Sequence, residues 1–506
     1  MARVPAIPIA KPLERPAFVA LVGCVVGLVS FHLALPLYVA VLPAVVGAAL
    51  YLRLRSGEEI GLVLMVAAAF WLYTDARTLV SRDFPERCEL SRAVVDIHYP
   101  VSAHSESVAQ YGATVQMDGQ PVRVLLRSDA SGIGYSMRAV ADLELCRLRR
   151  DNSYHRYLLS EGYQAVGRIA HLYRLDKKPY TSLSEAMQEL RAGLVADFER
   201  ATAPYLSPEV RGMTYALSLG DRSHLPKSVK ESFTDTGVAH VIAVSGYHLG
   251  IIYLFLSSLL ALGLWRWRHR HLRYALLFLG TLAYTLFTGA STATVRAFLM
   301  SSLILLAAAL GRRTDKVQLL SLTVLIFLVV QPLSYLSVGL MLSVSAVWGI
   351  LTFLPLFQKL ITPSVRGLQL LRDAIFVSVS AQIGVLPFLF MFFGRANMSI
   401  VWSNIPLMYL SAVAIPYGLI LVVMVGLFGA VPPFLLTIQD WLVGSMIRIT
   451  RYFSLEAASL SAGGSMDVVQ VILYYAIVVI FYRLAARQIN AYSPYRHLLD
   501  EKVGMH

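Results

Sequence analysis

Charge is what this sequence has least of: 15% of its 506 residues are Asp, Glu, Lys or Arg, while 57% are hydrophobic. A soluble globule carries about a quarter charged residues, so that class is excluded. Cysteine is scarce too, at three residues. There is no Gly-x-x-x-x-Gly-Lys loop, which excludes a nucleotide-driven motor within the chain. No internal repeat, no low-complexity stretch and no pair of inverted halves is visible, and the last of these argues against a repeat-built secondary transporter.

What the sequence has is apolar runs of roughly 20 residues, the length that spans ~30 Å of hydrocarbon. They occur at 17–35, 37–53, 60–76, 238–264, 273–290, 292–310, 317–331, 335–357, 373–393, 401–428, 433–449 and 467–484. The first follows Arg3, Lys11 and Arg15 as a signal peptide would, but runs into the second without a small-residue cleavage site, so it is read as a helix of the mature protein. Lys and Arg gather at 53–55, 266–273, 312–313, 359–372 and 483–487. These loops fall on one side of a scheme with about twelve spans, which makes that side, and both termini, cytoplasmic. Arg448 and Arg451 dissent.

The longest segment without a spanning run lies between Arg77 and Thr236, and the scheme puts it outside the cytoplasm. It holds 21 Lys and Arg against 20 Asp and Glu, so the formal net charge of +13 resides almost wholly in loops and termini. That excess speaks for topology, not for nucleic acid. Residues 94–99, 113–117, 122–126, 138–146 and 163–169 alternate or cluster as short strands, with turn signals at Asp118-Gly119 and Ser131-Gly132. About five strands in ~90 residues suit a small closed barrel of OB type, with another small β sandwich as the alternative. From Ser182 to Thr202 the period becomes helical, with Leu183, Met187, Leu190, Leu194 and Phe198 on one stripe. Cys24 lies in the first apolar run, whereas Cys88 and Cys146 lie in the outside segment, where a disulfide between them is expected. The organisation is thus an N-terminal membrane region (1–76), a β domain (77–180), a helical connector (181–236), a membrane channel domain (237–485) and a tail (486–506).

Polar residues are concentrated around the fourth run, in Gly220-Asp221-Arg222 and Gly237-Val238-Ala239-His240-Val241-Ile242-Ala243-Val244-Ser245-Gly246-Tyr247-His248. If the run is one helix, His248 and Ser245 fall about 80° and about 140° around it from His240, on one arc. Ionisable groups at membrane depth are costly and commonly face a cavity or pathway, although a lone histidine is more often a satisfied interhelical contact. Arg296 enters the sixth run within Ser291-Thr292-Ala293-Thr294-Val295-Arg296-Ala297. It either snorkels to the interface or grips a phosphate. Pro332 with Gly339 and Ser343, Gln382 with Pro387, and Asn404 with Pro406 interrupt other runs, as backbone that lines water does.

These residues carry a resemblance. Leu219-Gly220-Asp221-Arg222, Gly237-Val238-Ala239-His240, Ser245-Gly246 and His248 resemble the signature of the ComEC family of competence DNA-uptake channels. So do Arg296-Ala297, Met300, Gly311-Arg312, Asp315, Pro332, Gly339, Leu342-Ser343, Pro387, Asn404 and Pro406. The likeness covers about residues 205–410, and the layout of N-terminal spans followed by an outside OB-type segment agrees with it. It implies an inner-membrane channel that passes single-stranded DNA, fed by an extracytoplasmic DNA receptor and drawn by a cytoplasmic helicase-like motor. Assembly as a homo-oligomer is left open, and no cofactor, metal or catalytic residue is implied. His240, Ser245, His248, Arg296, Gln382 and Asn404 become channel-lining or DNA-contacting residues. Gly220, Asp221, Gly237, Gly246, Pro332, Gly339, Ser343, Pro387 and Pro406 become structural ones. Ser337 and Leu340-Met341 depart from the family's acidic residue and Phe-Gln pair. The His-x-His-x-Asp-His string of the metallo-β-lactamase-like domain found in many members does not occur, so any nuclease is expected to be a separate polypeptide. The rival readings are a small-solute transporter and an intramembrane hydrolase using Ser245 with His240 or His248.

Overall fold

The computed structural model describes residues 85–491, apart from 105–107, 118–119, 130–132, 150–151, 181, 263–269, 312–314, 361–365 and 398. The three N-terminal runs and the end of the tail lie outside the described residues.

Period-two alternation builds the first unit. Strands β1 (Arg87–His104), β2 (Val108–Met117), β3 (Gln120–Ser128), β4 (Met137–Arg147) and β5 (Ala165–Lys177) close into a barrel in the order β1-β2-β3-β5-β4. β3 and β5 are parallel and the other pairs antiparallel. A closed five-stranded barrel of this order is OB-like, and the sandwich alternative falls. On β4 the buried residues are Ala139, Ala141, Leu143 and Leu145, every second one, and they meet Val95, Ile97, Val115 and Val124 inside the barrel. Helix α1 (Ser153–Ser160), capped by Asn152 Oδ1 on the amides of Tyr154 and His155, joins β4 to β5.

The expected disulfide is corrected. Both Cys88 and Cys146 are free thiols. In the β1–β4 ladder Cys88 stands opposite Leu145 and Cys146 opposite Arg87. The two cysteines are one residue out of step, and in a pleated sheet one residue turns a side chain to the other face. Cys88 packs against the barrel interior, and Cys146 is exposed.

Helix α2 (Leu183–Thr202) forms where the period predicted, but it is rotated. Leu183 and Leu190 are exposed, while Glu185, Gln188, Val195, Phe198 and Thr202 are buried. The rotation has a polar cause. Glu185 Oε1 lies 2.6 Å from His98 Nδ1, and His98 Nε2 lies 2.8 Å from Thr114 Oγ1, so β1, β2 and α2 are tied by one histidine.

Helix α3 (Pro208–Thr214) runs into a π-helical turn (Tyr215–Leu219) that stops at Gly220, whose φ is 74°. A side chain is excluded there twice over, since a Cβ would also stand 2.9 Å from Val244 and 3.1 Å from Thr288. Asp221 then forms a tight turn, with its Oδ1 accepting from Ser223 N at 2.9 Å and Ser223 Oγ at 2.6 Å.

Beyond α4 (Lys227–Asp235) the chain is helical in α5 (Ala239–Ile242), α6 (Gly246–Leu262), α7 (Arg270–Phe287), α8 (Thr292–Ala309) and α9 (Lys316–Val330). A 3₁₀ turn (Pro332–Leu336) precedes α10 (Val338–Leu360), α11 (Arg366–Phe393), α12 (Ile400–Phe428), α13 (Pro433–Leu460) and α14 (Val468–Ala491). Short strands β6 (Arg395–Asn397) and β7 (Ser461–Gly463) pair between them. Among the described residues, five of these helices are long and apolar enough to cross a membrane: α8, α10, α11, α12 and α14. Helices α7 and α13 form where spans were expected but are not among the five, and α6 and α9 are apolar but shorter.

Close packing replaces bulk between α10 and α11. A Cβ on Gly349 would stand 2.3 Å from Ser380 O, and one on Gly384 would stand 2.1 Å from Ser345 O, so the two backbones touch. Pro387 removes the amide that would have bonded Ile383 O, and Tyr474 Oη of α14 donates to that carbonyl at 3.0 Å instead.

Two outcomes are expected. In native protein without reductant, maleimide modifies Cys146 readily and Cys88 only after unfolding, and neither position resists alkylation once denatured. Gly384→Ala lowers the stability of detergent-solubilised protein by about 1–3 kcal/mol through overpacking. Gly193→Ala on α2, where a Cβ meets nothing within 4 Å, leaves it equal or up to ~1 kcal/mol more stable. Thermal melting followed by size exclusion distinguishes the two.

Candidate functional site

The fourth run is not one helix. Helix α5 ends at Ile242, residues 243–245 are non-helical, and α6 begins at Gly246. The β-branched Val241, Ile242 and Val244 and the weak helix formers Ser245 and Gly246 make the interruption inexpensive. The single-arc placement of His240, Ser245 and His248 is therefore corrected, because a helical wheel does not pass through a break. The break nevertheless brings the same groups together by another route. Ser245 Oγ lies 3.2 Å from His248 Nδ1, and the two imidazoles are close enough for their charges to interact. The ring of His240 reaches the Asn404 side chain of α12, whose Nδ2 donates to Ser378 Oγ of α11 at 3.0 Å. Gln382 stands one turn further along α11, half-buried.

This cluster is part buried and part open. His248 is fully buried and its Nε2 has no hydrogen-bond partner among the described residues, nor has Asn404 Oδ1. His240 is open to solvent, as are Gly246, Gly250 and Gly339, although protein atoms crowd the His240 ring. Tyr247 fixes the start of α6 by donating to Met408 O, and its own oxygen accepts from Ser411 Oγ at 3.3 Å.

Arg296 is adjacent. A Cβ on Gly246 would touch Ala297 at 3.4 Å, so α6 crosses α8 beside the arginine. Its guanidinium is 5% exposed, donates through Nη2 to Gly339 O at 3.1 Å and lies 6.0 Å from the Phe327 ring centroid. Nε has no partner among the described residues. The snorkelling alternative falls, because the head group is buried inside the protein rather than carried to its edge.

Arg296 also has a charged neighbour that the sequence gave no reason to expect. Glu161, which follows α1 in the barrel domain, acts electrostatically on it and accepts from Thr292 Oγ1 at 3.3 Å. Burial raises the Glu161 carboxyl above the ordinary range, and the Thr292 hydroxyl and the charges of Arg123 and Arg296 pull it back. The barrel is docked here. Gln331 Nε2 donates to Ser160 O at 2.5 Å, and Leu333 and Leu336 pack onto Leu125, Leu148, Leu158, Leu159 and Tyr163. Pro332 starts the 3₁₀ turn that presents those leucines. Nothing in residue spacing could signal a contact between Glu161 and Thr292, 131 positions apart.

Of the remaining residues singled out by sequence, Ser343 is half-buried on α10, Pro406 lies inside α12 two residues after Asn404, and Gly237 has a φ of 81° just before α5.

A family model described as "Competence protein" matches residues 217–488. The chain belongs to the competence protein family. The family match takes in every residue of this cluster as well as the Gly220-Asp221 turn. Among curated proteins, the chain is similar to ComE operon protein 3 of Bacillus subtilis, 30% identical over 162 residues, which are 32% of this chain and 20% of that protein. It is similar to Recombination protein 2 of Haemophilus influenzae, 25% identical over 328 residues, 62% of this chain and 40% of that protein. It is also similar to the uncharacterized protein YcaI of Escherichia coli, 32% identical over 82 residues, 16% and 10% of the two chains. The chain thus covers well under two thirds of the length of these curated relatives. No solved structure matches it.

Gln331→Ala leaves Ser160 O buried and unpaired, which costs about 1–3 kcal/mol of docking. Faster hydrogen exchange confined to α1 and the 3₁₀ turn, with the barrel core unchanged, is the expected result.

Proposed function

We propose that this competence-family protein is an inner-membrane conduit through which single-stranded DNA enters the cytoplasm during natural transformation. The observation that carries the reading is the convergence of polar residues within the family match on one cluster among apolar helices. His240 comes from α5, Ser245 from the break after it, His248 from α6 and Asn404 from α12, with the buried Arg296 of α8 at the adjoining crossing. A charge at membrane depth is expensive, by about 2.5–3.5 kcal/mol or more, and is retained where it serves a pathway. A guanidinium suits phosphate because its planar fork makes paired, charge-assisted hydrogen bonds.

In this reading the barrel lies on the extracytoplasmic side, opposite the basic loops, and both termini are cytoplasmic. Strand passage needs two partners, an extracytoplasmic receptor that delivers DNA and a cytoplasmic helicase-like motor that pulls it. In this reading the chain guides the strand and catalyses no bond change. The barrel's outer face offers Tyr154, Tyr157 and Tyr173, all exposed, as stacking surfaces for bases.

One contact favours a second reading. Ser245 Oγ beside His248 Nδ1 is the start of a nucleophile–base pair, which an intramembrane hydrolase would use. Against it, the other imidazole nitrogen, Nε2, is buried without a partner among the described residues, so no carboxylate orients the ring.

Transformation frequency, measured beside membrane abundance, separates the readings. Arg296→Ala lowers transformation at least about tenfold to a hundredfold, the worth of one or two charge-assisted contacts at 1.5–3 kcal/mol each, while abundance is retained. Arg296→Lys recovers part of it. His240→Leu and His248→Leu impair uptake by removing the polar groups of the cluster. Ser245→Ala keeps most of the activity, since a lining hydroxyl contributes about 0.5–1.5 kcal/mol. A Ser245→Ala variant that is abundant yet inactive establishes the hydrolase instead, and a fully active Arg296→Ala removes the phosphate contact.

A further inference from the structure

The conduit reading leaves one group unused, and it belongs to the other domain. Glu161 of the barrel sits at the membrane end of the docking contact, its Oε1 held by the hydroxyl of Thr292, the first residue of α8. Arg296 is four residues further along the same helix, and residues four apart share a helix face. The charges interact, yet among the described residues no ion pair within 4 Å joins them. Arg296 gives one hydrogen bond to a neutral carbonyl, that of Gly339, and keeps Nε without a partner in a site that is 95% shielded by protein. The arrangement is a cation with donors to spare and a carboxylate standing near without occupying them.

We infer that Glu161 is a resident counter-ion at the Arg296 site, balancing the guanidinium until a phosphodiester takes its place. A carboxylate and a phosphodiester each carry one negative charge, so the exchange leaves the buried site neutral. The phosphodiester adds two non-bridging oxygens that match the guanidinium fork in the plane where Nε is free. The exchange has a mechanical result. Glu161 holds the barrel to α8, while Gln331 on Ser160 and the leucine contacts of the 3₁₀ turn hold it at the end of α9. A phosphodiester on Arg296 releases that corner of the dock, and DNA arrival thereby loosens the barrel from the membrane helices. The inference rests on the conduit reading.

The test uses the full chain in maltoside micelles, which contain no phosphate, with a fluorescent 12-nucleotide oligothymidylate as probe. Anisotropy titrations expect Arg296→Ala to bind several-fold more weakly than the natural protein and Glu161→Gln several-fold more tightly. The gain disappears in the double variant. Thr292→Val, which frees Glu161 without altering its charge, gives a smaller gain in the same direction and guards against a folding defect in Glu161→Gln. Hydrogen exchange in Ser153–Ser160 rises when oligothymidylate is added to the natural protein and is already high in Glu161→Gln. Binding unchanged or weakened in both Glu161→Gln and Thr292→Val, with Arg296→Ala still impaired, overturns the counter-ion role and leaves the conduit standing. Unchanged DNA binding and transformation in Arg296→Ala overturn both. Phosphatidylglycerol that produces the Arg296-dependent exchange response when oligothymidylate does not assigns the site to a lipid headgroup and also overturns the inference.

Discussion

A guanidinium withheld from water constrains everything near it. Arg296 cannot lose its proton at ordinary pH, so its surroundings must supply acceptors and negative charge. Gly339 O, the face of Phe327 and the field of Glu161 meet that demand, and each comes from a different part of the chain. Helices α8, α9 and α10 and the barrel are thus fixed relative to one another by one side chain. The glycine at 246, which brings α6 up to Ala297, places the histidine cluster beside it.

The second constraint is that polar backbone in hydrocarbon needs partners. The fold meets it by placing irregular chain only where protein encloses it. At the break between α5 and α6, Ala243 N donates to Ala239 O and Ser245 O accepts from Leu249 N, and the carbonyl left free by Pro387 is taken by Tyr474. The apolar side chains of α14, among them Ile477, Ile480 and Phe481, are exposed among the described residues, and hydrocarbon is the solvent that suits them.

How much of this was legible depended on the range of the interaction. Alternation located all five strands and the 3.6 period located α2, because both report short-range burial. The rotation of α2 was not legible, since it is set by His98 reaching Glu185, 87 positions away. Cys88 and Cys146 looked like partners because both lie in one segment, and only the register of β1 on β4 shows that they face opposite sides of the wall. His240, Ser245 and His248 were placed on one continuous helix, which residues 243–245 interrupt, and the contact of His240 with Asn404 crosses between elements that no helical wheel relates. Glu161 was missed, for a glutamate after a soluble helix carries no local mark of a partner in the membrane.

The leucine contact between barrel and 3₁₀ turn bears on how the chain is made. Ser160 and Gln331 are separated by 171 positions, and ribosomes add roughly 5–20 residues per second. The barrel is therefore complete some 10–30 s before Leu333 and Leu336 are synthesised to cover Leu158 and Leu159. Through that interval a folded domain presents a sticky patch with no partner yet in existence. The order of synthesis, rather than the strength of the final contact, decides whether the patch meets its own turn or a neighbouring chain.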